Sequence, residues 1–307
     1  MVLGFGLLSA LLAWTPVRVS EPVARVGFLA GYYLWPAKRN IIKANAARVL
    51  GLPIGHPDVA GLARAIYGTY ARFTIELMRL PNLPADEPVR MLRLEGPQHE
   101  RFMALWRACE AEGRGIIAVS GHIGSIEVFA GAYAQKGIPT YGLADDSAFP
   151  ELFDLLNASR ARWGVTIIPW RKLREIFRVM RSPAILGMVV DWGYRSDDLP
   201  VRLFGEWTTL PAGPATLAAR SGAVIVPVVA RRRADGRYDP VMHEPIEVVD
   251  SSPAEISRAT QAIAEALEAM IAEAPEQWYT FKPMWPATAA EADEVARRAA
   301  GFGPADA

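Results

Sequence analysis

The sequence predicts an α/β fold whose central sheet is mostly parallel and flanked by helices on both faces. Strand and helix patterns alternate from about residue 115 to residue 230, the signature of strand–helix crossovers. Inside that stretch, GIIAV (115–119), AILGMVVD (184–191, up to its terminal Asp191) and AVIVPVVA (223–230) are apolar at successive rather than alternate positions, as strands covered on both faces are. The chain also has the material for a large core. Its 307 residues are 51% hydrophobic and 21% charged, which excludes disorder. It is too charged, and too often broken by proline and glycine, for a polytopic membrane protein.

The elements follow in order. Residues 1–17 (MVLGFGLLSALLAWTPV) carry no charge, are shorter than the roughly 20 residues of a spanning helix, and lack the basic start of a signal peptide. A second uncharged run, VGFLAGYYLWPA (26–37), follows two arginines, and Trp14, Tyr32, Tyr33 and Trp35 border these runs as interfacial aromatics do. Residues 1–57 hold six basic residues and one acidic, a net +5 in a chain whose total is zero. The first 40 residues therefore read as a membrane-associating segment lying in one leaflet, against the plainer alternative of two buried core helices.

AGLARAIYGTYARFTIELMRL (60–80) has apolar residues at helical spacing and ends at Pro81, Pro84 and Pro88. RMLRL (90–94) reads as a short strand and 100–113 as a helix. After the strand GIIAV, a helix is expected from about 126 to 135, a strand from 139 and a helix over 150–163. A strand over 165–169 and a helix over 172–181 follow. Beyond AILGMVVD come a polar loop, the alternating VRLFG, a helix over 212–221 and the strand AVIVPVVA. A turn at Ala234-Asp235-Gly236, a strand over 246–249 and a long amphipathic helix over 253–273 complete the fold. The domain therefore spans 41–286, and 287–307, with no apolar periodicity, reads as a flexible tail.

The chemistry concentrates in SGHIGSIE (120–127). His122 follows a buried strand and Glu127 falls in the first turn of the next helix, at the sheet edge where ligands bind in open α/β folds. A carboxylate on one imidazole nitrogen fixes the tautomer and leaves the other as a general base. Gly121 and Gly124 allow close backbone approach, and the helix start adds N–H donors. On position alone, a satisfied histidine near a loop explains the pattern equally well. Ser125 is not a hydrolase elbow nucleophile, because Gly-x-Ser-x-Gly is absent. Metal-hydrolase, dinucleotide and nucleoside-triphosphate motifs are absent too, and the one cysteine, Cys109, permits neither an intramolecular disulfide nor a cysteine zinc site. No metal or cofactor is expected, and a reduced, cytosol-facing location fits.

Two other features have competing readings. Arg171, Arg174, Arg178 and Arg181 form one stripe of a helix, either a docking face for an acidic acyl carrier protein or anionic lipid, or a solvated face. Arg231–Arg233 reads as a solvated strand exit, and without interleaved aromatics it is no nucleic-acid patch.

SGHIGSIEVFAGAYAQKG resembles the His-x4-Asp/Glu block of the bacterial lipid A biosynthesis lauroyl/myristoyl acyltransferases and of the related phosphatidylinositol mannoside acyltransferases. EGPQHERFMALWRACEAEGRGIIAVSGH, YGTYARFTIELMRLP and LFGEWTTLPAGPATLAARSGAVIVPVVARR are similar to further blocks of that family in the same order, from roughly residue 15 to 285. The resemblance implies a glycerolipid-acyltransferase-like fold and an O-acyltransferase that moves a fatty chain from acyl-CoA or an acyl carrier protein to a hydroxyl of a glycolipid or phospholipid. It implies His122 as general base with Glu127 as its partner, and Arg160 on phosphate or oxyanion. It also implies site roles for Asp191 at the end of a strand, for Gly121 and Ser125 beside the histidine, and for Gly213 in the turn before a helix. The setting implied is the cytoplasmic face of the inner membrane, with no nucleic-acid partner. Read without the resemblance, Arg160 is equally a surface ion pair and Asp191 a structural carboxylate. An esterase or thioesterase that uses the His122–Glu127 pair to activate water is the alternative activity, and a non-catalytic lipid-binding protein is a third.

Overall fold

In the computed structural model, residues 2–144 and 150–301 are described. The strands are β1 (Ile116–Ser120), β2 (Thr140–Ala144), β3 (Val165–Pro169), β4 (Ile185–Val189), β5 (Leu199–Leu203), β6 (Glu206–Leu210), β7 (Val224–Arg232) and β8 (Tyr238–Met242). The main sheet has the order β3-β2-β4-β1-β7-β8. Its first five strands run parallel and β8 returns antiparallel on β7. β5 and β6 form a separate hairpin.

The continuous apolar runs are buried on both sides, as their composition requires. Ile116 and Ala118 of β1, Ile185 of β4 and Val224, Val226 and Val228 of β7 share one core cluster. Their immediate neighbours Ile117, Val119, Leu186 and Ile225 belong to the other. Helices α6 (Pro97–Ala111) and α7 (Ile126–Ala134) cover the first face through Phe102, Trp106, Phe129 and Tyr133. Three helices of the chain's second half cover the opposite face through Ile176, Met180, Ala218, Leu267 and Ile271.

The α-helices among the described residues are α1 (Val2–Trp14), α2 (Val17–Leu34), α3 (Pro36–Leu50), α4 (Pro57–Arg79), α5 (Glu87–Met91), α6, α7, α8 (Pro150–Arg162), α9 (Leu173–Val179), α10 (Gly213–Ser221), α11 (Pro253–Glu273) and α12 (Ala289–Ala300). α2, α3 and α4 pack on one another, with Tyr32, Ile42, Ile66 and Tyr67 as their own small core, and α1 lies against α4. α2 runs antiparallel to α4: Phe28 meets Tyr70, Tyr32 meets Tyr67, and Glu21 pairs with Arg72. No helix among the described residues is long and apolar enough to cross a membrane. The first helices are nevertheless apolar on their outer side. Of sixteen large hydrophobic side chains exposed among the described residues, twelve lie between Leu7 and Ile54, including Trp14, Val23, Leu34 and Trp35.

Three local expectations are corrected and one is borne out. RMLRL begins inside α5, because Pro88 in the first turn presets helical backbone, and only Leu92 bridges to Tyr238. VRLFG is one arm of a hairpin whose two turn residues, Phe204 and Gly205, both take positive φ (50° and 75°), as a tight two-residue turn demands. The strand beside β7 is β8, reached through the turn at Ala234–Gly236, while Ile246 makes a single bridge to Ile225 beside Pro245, which has no N–H to give a ladder. The stretch read as a flexible tail contains α12. Its capping box joins Thr288 and Glu291, Val295 is fully buried, and Arg298 donates to the carbonyls of Ser196 and Asp198. Residues 302–307 of that stretch lie outside the described residues.

Candidate active site

His122 and Asp191 meet because β1 and β4 are adjacent and parallel. Their register pairs Ile116 with Ile185 and Ser120 with Val189. The same offset, carried two residues past the strand ends, sets His122 opposite Asp191. Val190 donates to the Ser120 carbonyl at 2.9 Å, so the two chains stay in step up to that point.

The Asp191 carboxylate is buried, 1% exposed, and every contact on it comes from a donor. His122 Nδ1 lies 2.7 Å from Oδ1, and the His122 backbone N–H donates to both oxygens at 3.0 and 2.9 Å. Trp278 Nε1 and Thr280 Oγ1 donate to Oδ2 at 2.8 and 2.7 Å. A carboxylate in this position fixes the imidazole with Nδ1 protonated and leaves Nε2 as the basic nitrogen. The ring is not sealed in. Its side chain is 39% exposed, and no hydrogen-bond partner is found for Nε2 among the described residues. Trp192, itself 45% exposed, stands edge-on to the ring at 5.4 Å between centroids, and the Lys282 ammonium lies 5.1 Å from the Trp192 centroid.

The loop that carries His122 is clamped from behind. The segment 277–279 lies antiparallel to it: Tyr279 N–H donates to the His122 carbonyl at 2.7 Å, and Gly124 N–H to that of Gln277 at 3.2 Å. Ser125 N–H donates to Ala230 at the end of β7. Gly124 takes φ +58°, and a Cβ there would stand 1.9 Å from the Ala230 carbonyl oxygen, so only glycine fits. At Gly121 a Cβ would stand 2.8 Å from a Leu267 methyl and 3.1 Å from Asp191 Oδ2. These two glycines thus let the histidine loop approach β7 and the carboxylate.

The electrostatics follow from the geometry. Desolvation of the ring opposes protonation of His122, but the charge and hydrogen bond of Asp191 outweigh it and raise the pKa above the ordinary 6.5, with Lys282 pulling the other way. Burial opposes ionisation of Asp191, but the His122 charge and bond, helped by Thr280, hold its pKa below the ordinary 3.8.

The predicted partner of His122, Glu127, is elsewhere. It receives Arg160 in a forked pair, Nε at 3.1 and 3.0 Å from its two oxygens and Nη2 at 2.5 Å from Oε1. Both side chains are largely buried, at 20% and 14% exposed. The carboxylate behind the imidazole is therefore Asp191, and Arg160 is neither a surface pair nor free for phosphate in this arrangement. Desolvation weakens the Arg160 charge, but Glu127 outweighs that and raises the guanidinium pKa. Ser125 caps α7 by accepting from Val128 N–H at 3.3 Å and is buried. Gly213 opens α10, where a Cβ would meet only the Met188 methyl at 3.6 Å. In α9, Arg174 and Arg178 are exposed, with Arg178 3.7 Å from Glu175.

Trp278, Thr280, Trp192 and Lys282 were not singled out from the sequence. The alternation in WYTFK (278–282) was the available signal: Trp278 and Thr280 turn to Asp191, whereas Tyr279 and Phe281 turn to the aromatic rings of α4.

Comparisons with known proteins identify the family. Residues 1–286 match the family model described as bacterial lipid A biosynthesis acyltransferase. The phosphatidylinositol mannoside acyltransferase of Mycolicibacterium smegmatis is 29% identical over 282 residues, 89% of this chain and 88% of that protein. The protein of the same name from Mycobacterium tuberculosis strain H37Rv is 27% identical over 289 residues, 91% and 88% of the two chains. The Escherichia coli lipid A biosynthesis lauroyltransferase is 28% identical over 178 residues, 56% of each.

Proposed function

Since the chain belongs to the bacterial lipid A biosynthesis acyltransferase family and is a lipid acyltransferase, we propose that it moves a fatty chain from an acyl thioester to a lipid hydroxyl, with His122 as general base. The observation that carries this is the half-exposed imidazole whose Nδ1 is held by a fully buried carboxylate.

The reaction balances on that nitrogen. Nε2 takes the proton of the acceptor hydroxyl as its oxygen attacks the thioester carbonyl. The C–O bond forms and the C–S bond breaks. The thiolate, from coenzyme A or an acyl carrier protein, then takes the proton from the imidazolium. Asp191 steadies the imidazolium while it exists and stays ionised throughout. The Glu127–Arg160 pair stands outside this proton path. Glu127, with Leu77, Leu83 and Trp163, lines a narrow pocket beside Ser125, and Arg160 holds that carboxylate in place.

Two further parts of the reading are proposals of the same standing. The acceptor is a glycolipid of the phosphatidylinositol mannoside type, supported by relatives of that name spanning 88% of their own length while the lauroyltransferase match spans 56%. The protein works on the cytoplasmic leaflet of the inner membrane. Support comes from the exposed apolar side chains of the first helices together with Arg18, Arg25, Lys38, Arg39, Lys43 and Arg48, which suit an anionic lipid surface.

The test supplies palmitoyl-CoA with and without a phosphatidylinositol mannoside acceptor, and follows free thiol and acylated lipid by mass spectrometry. Thiol release that requires the acceptor and matches acylated product is the expected result. Release that ignores the acceptor identifies a thioesterase instead.

A further inference from the structure

A groove of about 570 Å³ runs between α2 and α4, apart from the His122 crevice. That volume is within the range that encloses small ligands. Its wall on α2 is Ala24, Gly27, Phe28 and Gly31, about 10 Å along the helix, and its floor is Tyr67, Tyr70 and Phe281. A Cβ built on Gly27 or Gly31 meets nothing within 4 Å, so both glycines face open space. The groove adjoins the exposed Val23, Val26, Leu34 and Trp35 of the apolar outer side.

It is not uniformly apolar. The Tyr67 hydroxyl is buried with no hydrogen-bond partner among the described residues, in a residue only 4% exposed, among the rings of Tyr32 and Phe281. A phenol so placed normally finds a partner. Lys38 stands at the same end, its ammonium 3.3 Å from the Phe281 carbonyl, and Arg39 lies over Tyr32 at 5.9 Å. The other end, around Ala24 and Gly27, carries no charged side chain among its described lining residues, and Tyr70 is the polar residue there. A slot with one cationic rim, one unpartnered donor just inside it and an apolar remainder matches an anionic head, an ester and a hydrocarbon chain in that order.

We propose that this groove seats one fatty chain of an anionic bilayer phospholipid, with its ester carbonyl on the Tyr67 hydroxyl and its phosphate on Lys38. The site rests on the membrane-docking part of the function proposed above and adds a discrete lipid seat to it. The chain enters from the leaflet and replaces water over Phe28 and Tyr70, and the bound lipid fixes α2 against the surface. Because Phe281 is next to Thr280 and Lys282, a filled groove also braces the segment that holds Asp191 and His122.

The experiment incubates the full chain with phosphatidylcholine vesicles doped with phosphatidylglycerol carrying a diazirine on one fatty chain. Sedimentation measures docking, and peptide mapping after illumination locates the chain. The label is expected on the α2 and α4 peptides containing Phe28 and Tyr70. Gly31→Leu, whose Cβ has no neighbour within 4 Å and whose branched end projects into the slot, lowers that label about tenfold or more while sedimentation holds. Tyr67→Phe lowers it about threefold, and Lys38→Gln removes the preference for phosphatidylglycerol over an equally labelled phosphatidylcholine. Sedimentation with label elsewhere, or label indifferent to Gly31→Leu, overturns the groove and leaves the acyltransferase reading intact. Failure to sediment overturns the docking and the groove together, and the thioester assay with soluble palmitoyl-CoA still judges the chemistry.

Discussion

Replacing His122 with alanine lowers acyl transfer by about 10²–10⁴-fold and leaves the protein folded. The loss is large because nothing else near the crevice combines a free basic nitrogen with a fixed tautomer. The fold survives because the Asp191 carboxylate keeps three of its donors. The backbone N–H of residue 122 remains whatever its side chain, and Trp278 and Thr280 still donate to Oδ2. Circular dichroism and a thermal melt close to wild type, together with lost product, are the expected pair of results. Asp191→Ala behaves differently. It leaves those three donors without an acceptor in a buried place, so it costs stability as well as rate.

The second large effect is on stability. Glu127→Ala strands the Arg160 guanidinium, 14% exposed, without the carboxylate that receives both arms of its fork. Breaking a buried pair from one side costs about 3–5 kcal/mol, a major share of an ordinary domain's stability of about 5–15 kcal/mol. The double replacement Glu127→Leu with Arg160→Met removes both charges and recovers most of that loss. Urea denaturation of the wild type and these two variants gives the comparison. Transfer in the double variant well above that of His122→Ala supports a supporting role for the pair. A double variant that is stable yet as inactive as His122→Ala moves the pair into the catalytic machinery.

The sheet was legible because its strands are buried on both faces and hence apolar at every position, a pattern that survives in the sequence without tertiary information. His122 was legible for a related reason: it ends such a strand. Its carboxylate was not. Local spacing offers Glu127, five residues on, but the turn into α7 carries that side chain toward α8. The partner that meets the imidazole comes from the neighbouring strand 69 residues away, through a register no local pattern encodes. The clamp by Trp278 and Thr280 was hidden in the same way, since it arises from a segment beyond α11 with no motif of its own. α12 was missed because its buried face is alanine around the single Val295, so its period lies in charged against small residues rather than in large apolar ones, although the Thr288–Glu291 capping box stood in plain view. The uncharged α1 was readable as too short to span, but the second uncharged run did not mark an element, since it straddles the break between α2 and α3 at Trp35–Pro36.

The central claim is that Asp191 sets the basicity and tautomer of the group that takes the acceptor's proton. The imidazole must be neutral to act, so the rate rises with pH through the His122 pKa. Asp191 holds that pKa above 6.5, against the opposing pull of desolvation and Lys282. With the carboxylate gone, only the opposing influences remain, and the pKa falls below 6.5. The most direct measurement is the pH dependence of kcat/KM for acyl transfer in the wild type beside Asp191→Asn. The acid limb is expected above pH 6.5 in the wild type and below it in the variant, with a plateau lowered by the lost tautomer control. An acid limb that stays in place when Asp191 becomes asparagine contradicts the account.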